Sequence, residues 1–157
     1  MPDITPNLWF DTEATDAADF YVSVFPNSEI KRVSYYGEVG PGPAGTVLTV
    51  DFVLDGQEVT AINGGTHFKL DEAFSFAIGC ADQAEVDYYW TKLTDGGEEG
   101  PCGWVKDRFG LSWQVVPEAL IELLHDPDAA RSQRAMKVML EMRKIDVAAL
   151  YAAADQA

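Results

Sequence analysis

Cysteine and positive charge are both scarce in this chain of 157 residues. The two cysteines, Cys80 and Cys102, are too few for a disulfide framework and do not form a CxxC pair, so we predict free thiols. Only 11 Lys and Arg residues stand against 26 Asp and Glu residues, which gives a net charge of −15. Nucleic acid and anionic membrane surfaces require a basic footprint on the protein, so we expect neither as a partner.

Long hydrophobic runs and an N-terminal signal pattern are also lacking. No apolar stretch approaches the roughly 20 residues that a membrane-spanning helix needs, so we expect no insertion into a membrane. The first residues do not show the charged and then apolar pattern of a secretory signal. These absences favour a cytoplasmic location.

The residues that are present predict a globular domain with a sizeable core, since 47% are hydrophobic and 11% are aromatic. Apolar periodicity in the first half predicts strands over 4–10, 29–36, 46–54 and 58–64, and a helix over 15–25. Asp55-Gly56 is typical of a tight hairpin turn between the last two of these strands. The segment "GEVGPGPAG" (37–45) predicts a loop, which is either a lid over a site or a slack connector.

The second half repeats this order. Strands are predicted over 74–80, 103–107 and 111–116, and a helix over 82–93 with Asp82 as its N-cap. The helical segments "DFYVSVF" (19–25) and "DYYWTKL" (87–93) align at an offset of 68 residues, and the same offset superposes the strands that precede them. We therefore predict a duplicated strand–helix–strands unit.

The residues after 118 are helical in pattern. Short helices are predicted over 119–126 and 146–154 on either side of a longer one over 128–144, which carries an apolar stripe. The stripe consists of Ala135, Val138, Met139 and Met142. Two interpretations stay open, because this tail can cover its own domain or contact a second subunit.

One polar residue in a predicted strand raises a question about function. In "DRFGLSWQVVP" (107–117), Gln114 lies mid-strand and shares a face with Ser112 and Val116. An amide at such a position is either bonded to a neighbouring backbone group in the core or lines a pocket that needs a polar group.

Several motifs together resemble a known family. "LWFDTEATDAADFY", "FPNS", "NGG", "CGWVKDRFGLSWQ" and a tail containing "QRAM" and "KID" are similar to the PhnB-like branch of the vicinal oxygen chelate superfamily, which includes glyoxalase I and bleomycin-resistance proteins. The resemblance implies an α+β fold of two βαβββ modules, about 4–66 and 72–118, whose half-barrel sheets curve around a cleft. A single domain over 1–118 would then be followed by a helical extension over 119–157. Homodimers are common in this family, so a homodimer is expected.

The resemblance also implies where a divalent metal would bind in the metal-dependent members. The four ligand positions fall on Asn7, Ala61, Ser75 and Gln114. Neutral amide and hydroxyl oxygens are weak metal donors and a methyl group donates nothing, so we predict no tightly bound metal and no cofactor. The alternative is a metal-dependent lyase, isomerase or dioxygenase with displaced ligands, in which His67 would chelate together with Asp51 or Glu58.

Further candidates for the cleft follow from their positions on the strands. His67 is the candidate for acid–base catalysis, with a solvated loop histidine as the alternative. Lys106 would hold an anionic group if its face points inward, and Cys102 would act as a nucleophile only if its pKa were lowered. The predicted ligand-contacting residues are therefore the four positions Asn7, Ala61, Ser75 and Gln114, to which we add Trp9, Asn63, Trp104 and Lys106.

The family is often named after 3-demethylubiquinone-9 3-methyltransferase, a reaction that we do not expect here. A methyltransferase that uses S-adenosylmethionine usually has a doubly wound sheet with a glycine-rich turn after its first strand, and "DTEATDA" contains no glycine. We predict that the protein binds a small organic molecule, or performs proton transfer without a metal. A structural or regulatory dimer with a filled cleft is a further alternative.

Overall fold

The computed structural model describes residues 2–156, which divide between Leu70 and Asp71 into two compact units. We call them unit 1 and unit 2 and describe each separately. Within residues 2–156, no helix combines the length and the apolar character that a membrane crossing requires.

Unit 1 is one βαβββ module. Its elements are β1 (Asn7–Phe10), α1 (Ala14–Val24), β2 (Glu29–Tyr35), β3 (Val47–Leu54) and β4 (Gln57–Asn63). The strand order is β1-β4-β3-β2, with β1 parallel to β4 and the other pairs antiparallel. Asp55 and Gly56 both have positive φ, 44° and 83°, and form the predicted turn between β3 and β4. This turn type matches the right-handed twist of the flanking strands.

Helix α1 covers one side of this sheet. Tyr21, on the buried side of α1, stacks on Phe52 of β3 with ring centroids 6.2 Å apart, and both are at most 1% exposed. Because side chains alternate along a strand, one residue in two faces α1. The strand residues of unit 1 that are buried on this side are Leu8, Phe10, Val50, Phe52, Leu54, Val59, Ala61 and Asn63.

Unit 2 contains the second module and the helical tail. Its elements are β5 (Ser75–Cys80), α2 (Gln83–Thr94), β6 (Glu98–Glu99), β7 (Trp104–Lys106) and β8 (Ser112–Pro117), in the sheet order β5-β8-β7-β6. Asp82 caps α2 as predicted, since its carboxylate accepts the backbone N–H of Glu85 at 3.0 Å. Strand β6 was not predicted, because two glutamates carry no apolar periodicity.

Both modules therefore have the same element order and the same strand order, which confirms the α+β class and the two βαβββ modules. In each sheet the first strand pairs in parallel with the last, β1 with β4 and β5 with β8. This correspondence is what a duplication predicts.

The tail folds as three helices, α3 (Glu118–Leu124), α4 (Ala129–Met139) and α5 (Val147–Ala154). The buried residues of this cluster are Leu120, Leu123, Ala135, Met139, Ile145, Leu150 and Ala154, and Val138 and Met142 pack against it. Helix α4 ends five residues before the predicted end at 144. Beyond that end, the carbonyls of Met142 and Arg143 accept the backbone N–H groups of Cys102 and Gly103, each at 2.8 Å.

The tail also contacts the module of its own unit through Gln83. The Gln83 amide donates to the carbonyl of Ile145 at 3.0 Å and accepts the backbone N–H of Val147 at 2.8 Å. These two bonds connect the start of α2 to the start of α5. A contact between the tail and a second subunit stays a prediction.

Candidate functional site

The site of most interest lies on the side of the unit 2 sheet that α2 does not cover, which we call the open face. The α2-facing side holds Val105, Trp113 and Val115, each at most 2% exposed. Strand alternation and the observed register place the other residues on the open face. They include Ser75, Ala77, Gly79, Glu98, Trp104, Lys106, Ser112 and Gln114.

The mid-strand amide of Gln114 lies on this open face. Its Nε2 donates to the Oγ of Ser75 at 3.0 Å, so the two residues that the 68-residue repeat and the family pattern single out in unit 2 contact each other. Gln114 is half-buried, and within residues 2–156 its side-chain carbonyl accepts no hydrogen bond. The amide therefore retains a free acceptor on the open face.

A cavity of about 330 Å³ opens on this face. Its lining includes Glu72, Glu98, Trp104, Lys106 and Ser112. Ser112 is 1% exposed, and its Oγ is buried without a hydrogen-bond partner within residues 2–156. A buried hydroxyl without a partner is costly, and in folded proteins most such groups are hydrogen-bonded.

Lys106 lies on the open face but is already paired. Its ammonium group forms an ion pair with the carboxylate of Glu72. The hydrogen bond to Glu72 raises the pKa of Lys106, and the same bond lowers the pKa of Glu72. Each partner thus favours the charged form of the other, and the pair leaves Lys106 less available to an anionic ligand than the sequence suggested.

Asp107 positions the open face, a role that the sequence analysis did not assign. Its Oδ1 accepts the backbone N–H groups of Phe109 and Leu111 at 2.8 and 3.1 Å, and its Oδ2 accepts the indole N–H of Trp113 at 2.8 Å. The residue is 3% exposed. It fixes the turn at Gly110 (φ 90°) and hence the start of β8, which carries Ser112 and Gln114. An Asp three residues before a Gly is the sequence signal for such a turn.

In unit 1 the structure separates residues that the family pattern grouped together. The parallel register pairs Leu8 with Ala61 and Trp9 with Ile62. Ala61 is fully buried on the α1-facing side, whereas Asn7 is exposed and Trp9 is half-buried on the opposite side. Asn7 and Ala61, two of the four ligand positions that the resemblance implies, therefore lie on opposite sides of the sheet, because each residue's parity along its strand decides its side.

Asn63 faces α1 for the same reason, and its side chain has structural partners. Its Oδ1 accepts the backbone N–H of Ala14 at 2.9 Å, and its Nδ2 donates to the carbonyl of Val47 at 3.2 Å. The N-cap residue of α1, Glu13, makes no capping hydrogen bond with its side chain. Asn63 thus satisfies one of the backbone N–H groups that a helix leaves unpaired at its start.

The glycines after Asn63 accommodate the Trp9 ring. A Cβ on Gly64 would lie 2.3 Å from the ring, and the Trp9 indole N–H donates to the carbonyl of Gly65 at 2.9 Å. Phe68 packs edge-on against Trp9 at 5.0 Å. His67 is exposed in the adjoining turn, and no hydrogen bond or ion pair holds it within residues 2–156.

The residues at the family's metal positions do not fit a divalent ion. The Asn7 amide donates to the Thr5 carbonyl at 2.9 Å, Ala61 faces α1, and Ser75 and Gln114 bond to each other. These groups are neutral oxygen donors or no donors at all, whereas such ions prefer imidazole, carboxylate or thiolate ligands.

In the alternative ligand set, Asp51 already has other partners. Both carboxylate oxygens of Asp51 are engaged, Oδ2 with Arg32 at 2.8 Å and Oδ1 with the Thr60 hydroxyl at 2.7 Å. Within residues 2–156, no three His, Cys, Asp or Glu side chains form a group that could hold a metal ion.

Neither cysteine has the surroundings of a nucleophile. Burial raises the pKa of the Cys80 thiol to about 11, so this thiol is protonated near neutral pH. Cys102 is half-buried with a φ of 56°, and its backbone N–H is bonded to Met142. Both are free thiols, as predicted.

Comparison with known proteins gives the family. A family model described as 3-demethylubiquinone-9 3-methyltransferase matches residues 2–116. The chain belongs to this family. A PhnB protein from Bacillus cereus, described with the same methyltransferase name, is 34% identical to this chain. The match covers 74% of this chain and 99% of the Bacillus cereus chain, with a TM-score of 0.65. The predicted resemblance to the PhnB-like branch of the vicinal oxygen chelate superfamily is confirmed.

More distant structures share the fold. Protein PA1353 from Pseudomonas aeruginosa is 20% identical, with 75% of this chain covering 98% of that one and a TM-score of 0.62. A structure of a mutant of the fosfomycin resistance protein FosX from Listeria monocytogenes, complexed with Mn(II) and 1S,2S-dihydroxypropylphosphonic acid, is 14% identical to this chain. The match covers 72% of this chain and 90% of the FosX chain, with a TM-score of 0.51. No curated protein matches the sequence. At these identities the two structures support the fold alone.

Proposed function

We propose that this PhnB-like protein binds a small organic molecule in the cavity on the open face, without a firmly bound metal ion. The observation that carries the proposal is Ser112, which lines the cavity and whose buried hydroxyl lacks a partner within residues 2–156. A ligand that hydrogen-bonds to this hydroxyl would remove an energetic cost that the free protein bears. Trp104 supplies an aromatic wall, and the free carbonyl of Gln114 supplies an acceptor on the same face.

The cavity supports binding over a structural dimer with a filled cleft. A space of about 330 Å³ lies within the usual size of ligand pockets, which combine apolar walls with a few placed polar groups. We favour binding over metal-free proton transfer because His67, the candidate for acid–base catalysis, is not among the residues that line this cavity. We also propose that the protein forms a homodimer, is located in the cytoplasm and does not transfer methyl groups.

Replacement of Ser112 tests the proposal with two opposite effects. Ser112→Ala removes a buried hydroxyl without a partner, so the free energy of unfolding without ligand should stay the same or rise. Affinity for a ligand should fall by about two- to tenfold, since a net hydrogen bond contributes about 0.5–1.5 kcal/mol. We would find ligands by a thermal-shift screen and measure their dissociation constants by calorimetry.

Ser23→Ala serves as the matched control, because Ser23 is exposed on α1 and bonds only to the nearby Phe20 carbonyl at 2.6 Å. Ser23→Ala should change neither the ligand affinity nor the shape of the open-face cavity. If Ser112→Ala lowers stability and leaves the affinity of every ligand unchanged, the hydroxyl has a structural role and the proposal fails.

Metal content tests the second half of the proposal. The purified, untagged protein should hold less than about a tenth of an equivalent of metal, before and after incubation with nickel, zinc, manganese and iron(II), because neutral donors bind these ions weakly. Elemental analysis gives the number directly. One tightly held equivalent per chain would contradict the prediction, and His67→Ala and Gln114→Ala would then show which residue holds the ion.

A further inference from the structure

We infer that the ligand of the open-face cavity is an organic monocation, a protonated amine attached to an aromatic or other planar apolar body. This inference rests on the proposed function, since it names the class of molecule that the same cavity takes. Three features carry it: the net negative charge of the lining, the aromatic side chain of Trp104 and the Ser112 hydroxyl.

The charge of the cavity is negative after the internal ion pairs are taken into account. Three glutamates and one lysine line it, namely Glu72, Glu98, Glu99 and Lys106. Glu72 is paired with Lys106, and Glu99 lies 3.7 Å from the Arg143 guanidinium and accepts the indole N–H of Trp90 at 3.1 Å.

Glu98 is the carboxylate that remains. It is exposed and lies opposite Lys106 in the strand register, with which it has a favourable electrostatic interaction. It makes no hydrogen bond or contact ion pair within residues 2–156. The single lysine of the cavity is held by Glu72, so an anionic ligand would meet an unfavourable field from Glu98. A cation would compensate this carboxylate, and the net charge of −15 attracts cations from a distance.

Trp104 provides an aromatic wall of the cavity and belongs to a tightly packed stretch of backbone. Its backbone N–H donates to the Pro101 carbonyl at 3.0 Å, and its carbonyl accepts the Gly100 N–H at 2.8 Å. A Cβ on Gly100 would lie 2.9 Å from the Trp104 carbonyl oxygen, so the segment 100–104 is tightly packed. An indole ring binds a flat apolar body by stacking and attracts an ammonium group to its face.

The Ser112 hydroxyl selects for a group that can hydrogen-bond. It is buried without a partner, on the same face as Trp104 and Glu98. An ammonium group has up to three N–H donors, so it can supply the donor that the Ser112 oxygen lacks, and its positive charge offsets the negative charge of Glu98. A neutral alcohol can satisfy Ser112 but leaves Glu98 uncompensated.

Three probes of the same shape separate the charge of the ligand from its apolar body. They are 2-phenylethylamine (a cation at pH 7), 2-phenylethanol (neutral) and phenylacetate (an anion). Each would be titrated into the full chain labelled with ¹⁵N, and amide shifts of the strands β6, β7 and β8 would give both the site and the dissociation constant. We expect the amine to bind about five- to thirtyfold more tightly than the alcohol, and the preference to shrink as salt is added.

Two glutamate variants assign the preference to one carboxylate. Glu98→Gln should bring the amine to the affinity of the alcohol. Glu122→Gln removes the same formal charge from an exposed position on α3 and should leave the preference intact. Trp104→Leu should weaken all three probes, because it removes the wall that they share.

The outcomes distinguish this inference from the proposed function. If the alcohol or phenylacetate binds as tightly as the amine, and Trp104→Leu weakens that binding, the cavity binds small molecules but the cationic class is overturned. A preference for the amine that survives in Glu98→Gln and disappears in Glu122→Gln also overturns it. If none of the probes shifts the amides of these strands, both the inference and the assignment of this cavity fail.

Discussion

Asp107→Ala should lower the free energy of unfolding of unit 2 by about 3 kcal/mol or more. The substitution leaves three hydrogen-bond donors without their acceptor, and each buried donor left unpaired costs about 1–3 kcal/mol. The donors are the backbone N–H groups of Phe109 and Leu111 and the indole N–H of Trp113. Asp107 is only 3% exposed, so water cannot readily replace the carboxylate. Urea unfolding followed by tryptophan fluorescence measures the loss.

Two further variants separate burial from the loss of a carboxylate. Asp71 makes the same kind of bond, accepting the N–H of Ala73 at 2.8 Å, but it is exposed. Asp71→Ala should therefore change the unfolding free energy by no more than about 0.5 kcal/mol. Asp107→Asn keeps one acceptor for the turn and loses the acceptor for Trp113, so its effect should be intermediate. Equal effects of Asp107→Ala and Asp71→Ala would refute the role of Asp107.

Gly97→Ala should be the second strongly destabilising change. A Cβ at Gly97 would lie 2.3 Å from the carbonyl oxygen of Lys106 and 2.9 Å from that of Leu93. Backbone atoms on both sides cannot move as a flexible side chain can, so the register between β6 and β7 must shift. Overpacking of this kind costs about 1–3 kcal/mol and occasionally more. Hydrogen exchange at the amides of β6 and β7 would locate the loss, and urea unfolding would measure it.

Gly79→Ala is the matched control. Gly79 lies on the open face of β5, and a Cβ there would meet nothing within 4 Å. Its replacement should be neutral or slightly stabilising, since Gly in a strand loses more conformational freedom on folding than Ala. If both alanine variants unfold at the same urea concentration, the close approach at Gly97 has no energetic consequence. Glu98 follows Gly97, so Gly97→Ala should also weaken binding of a cationic probe.

Elements whose signals are local could be predicted from the sequence. The turn at Asp55-Gly56 and the N-cap Asp82 depend on residue types within a few positions, and the structure confirms them. Two elements differ from the prediction. Strand β6 forms because Glu98 and Glu99 pair with β7, and α4 ends at Met139, before the residues 142–143 that bond to residues 102–103.

The candidate site was predictable in part. The repeat offset paired Asn7 with Ser75, and the family pattern added Gln114, whose contact with Ser75 the structure shows directly. The family pattern also named Ala61 as a ligand position, and the parallel register puts Ala61 on the side that α1 covers. A shift of one residue reverses the face of a strand residue, and short apolar strands do not reveal that shift in their sequence.

The sequence by itself determined the acidic surface, the duplicated module and its family, because charge, periodicity and turn residues are properties of short segments. Only the tertiary structure decided which side chains share the open face, that Asp107 fixes the start of β8, and that the Ser112 hydroxyl is buried without a partner. Those facts depend on pairings between strands that are up to about 40 residues apart in the chain, such as Ser75 with Ser112. Such pairings arise from the packing of the whole unit, which no local pattern records.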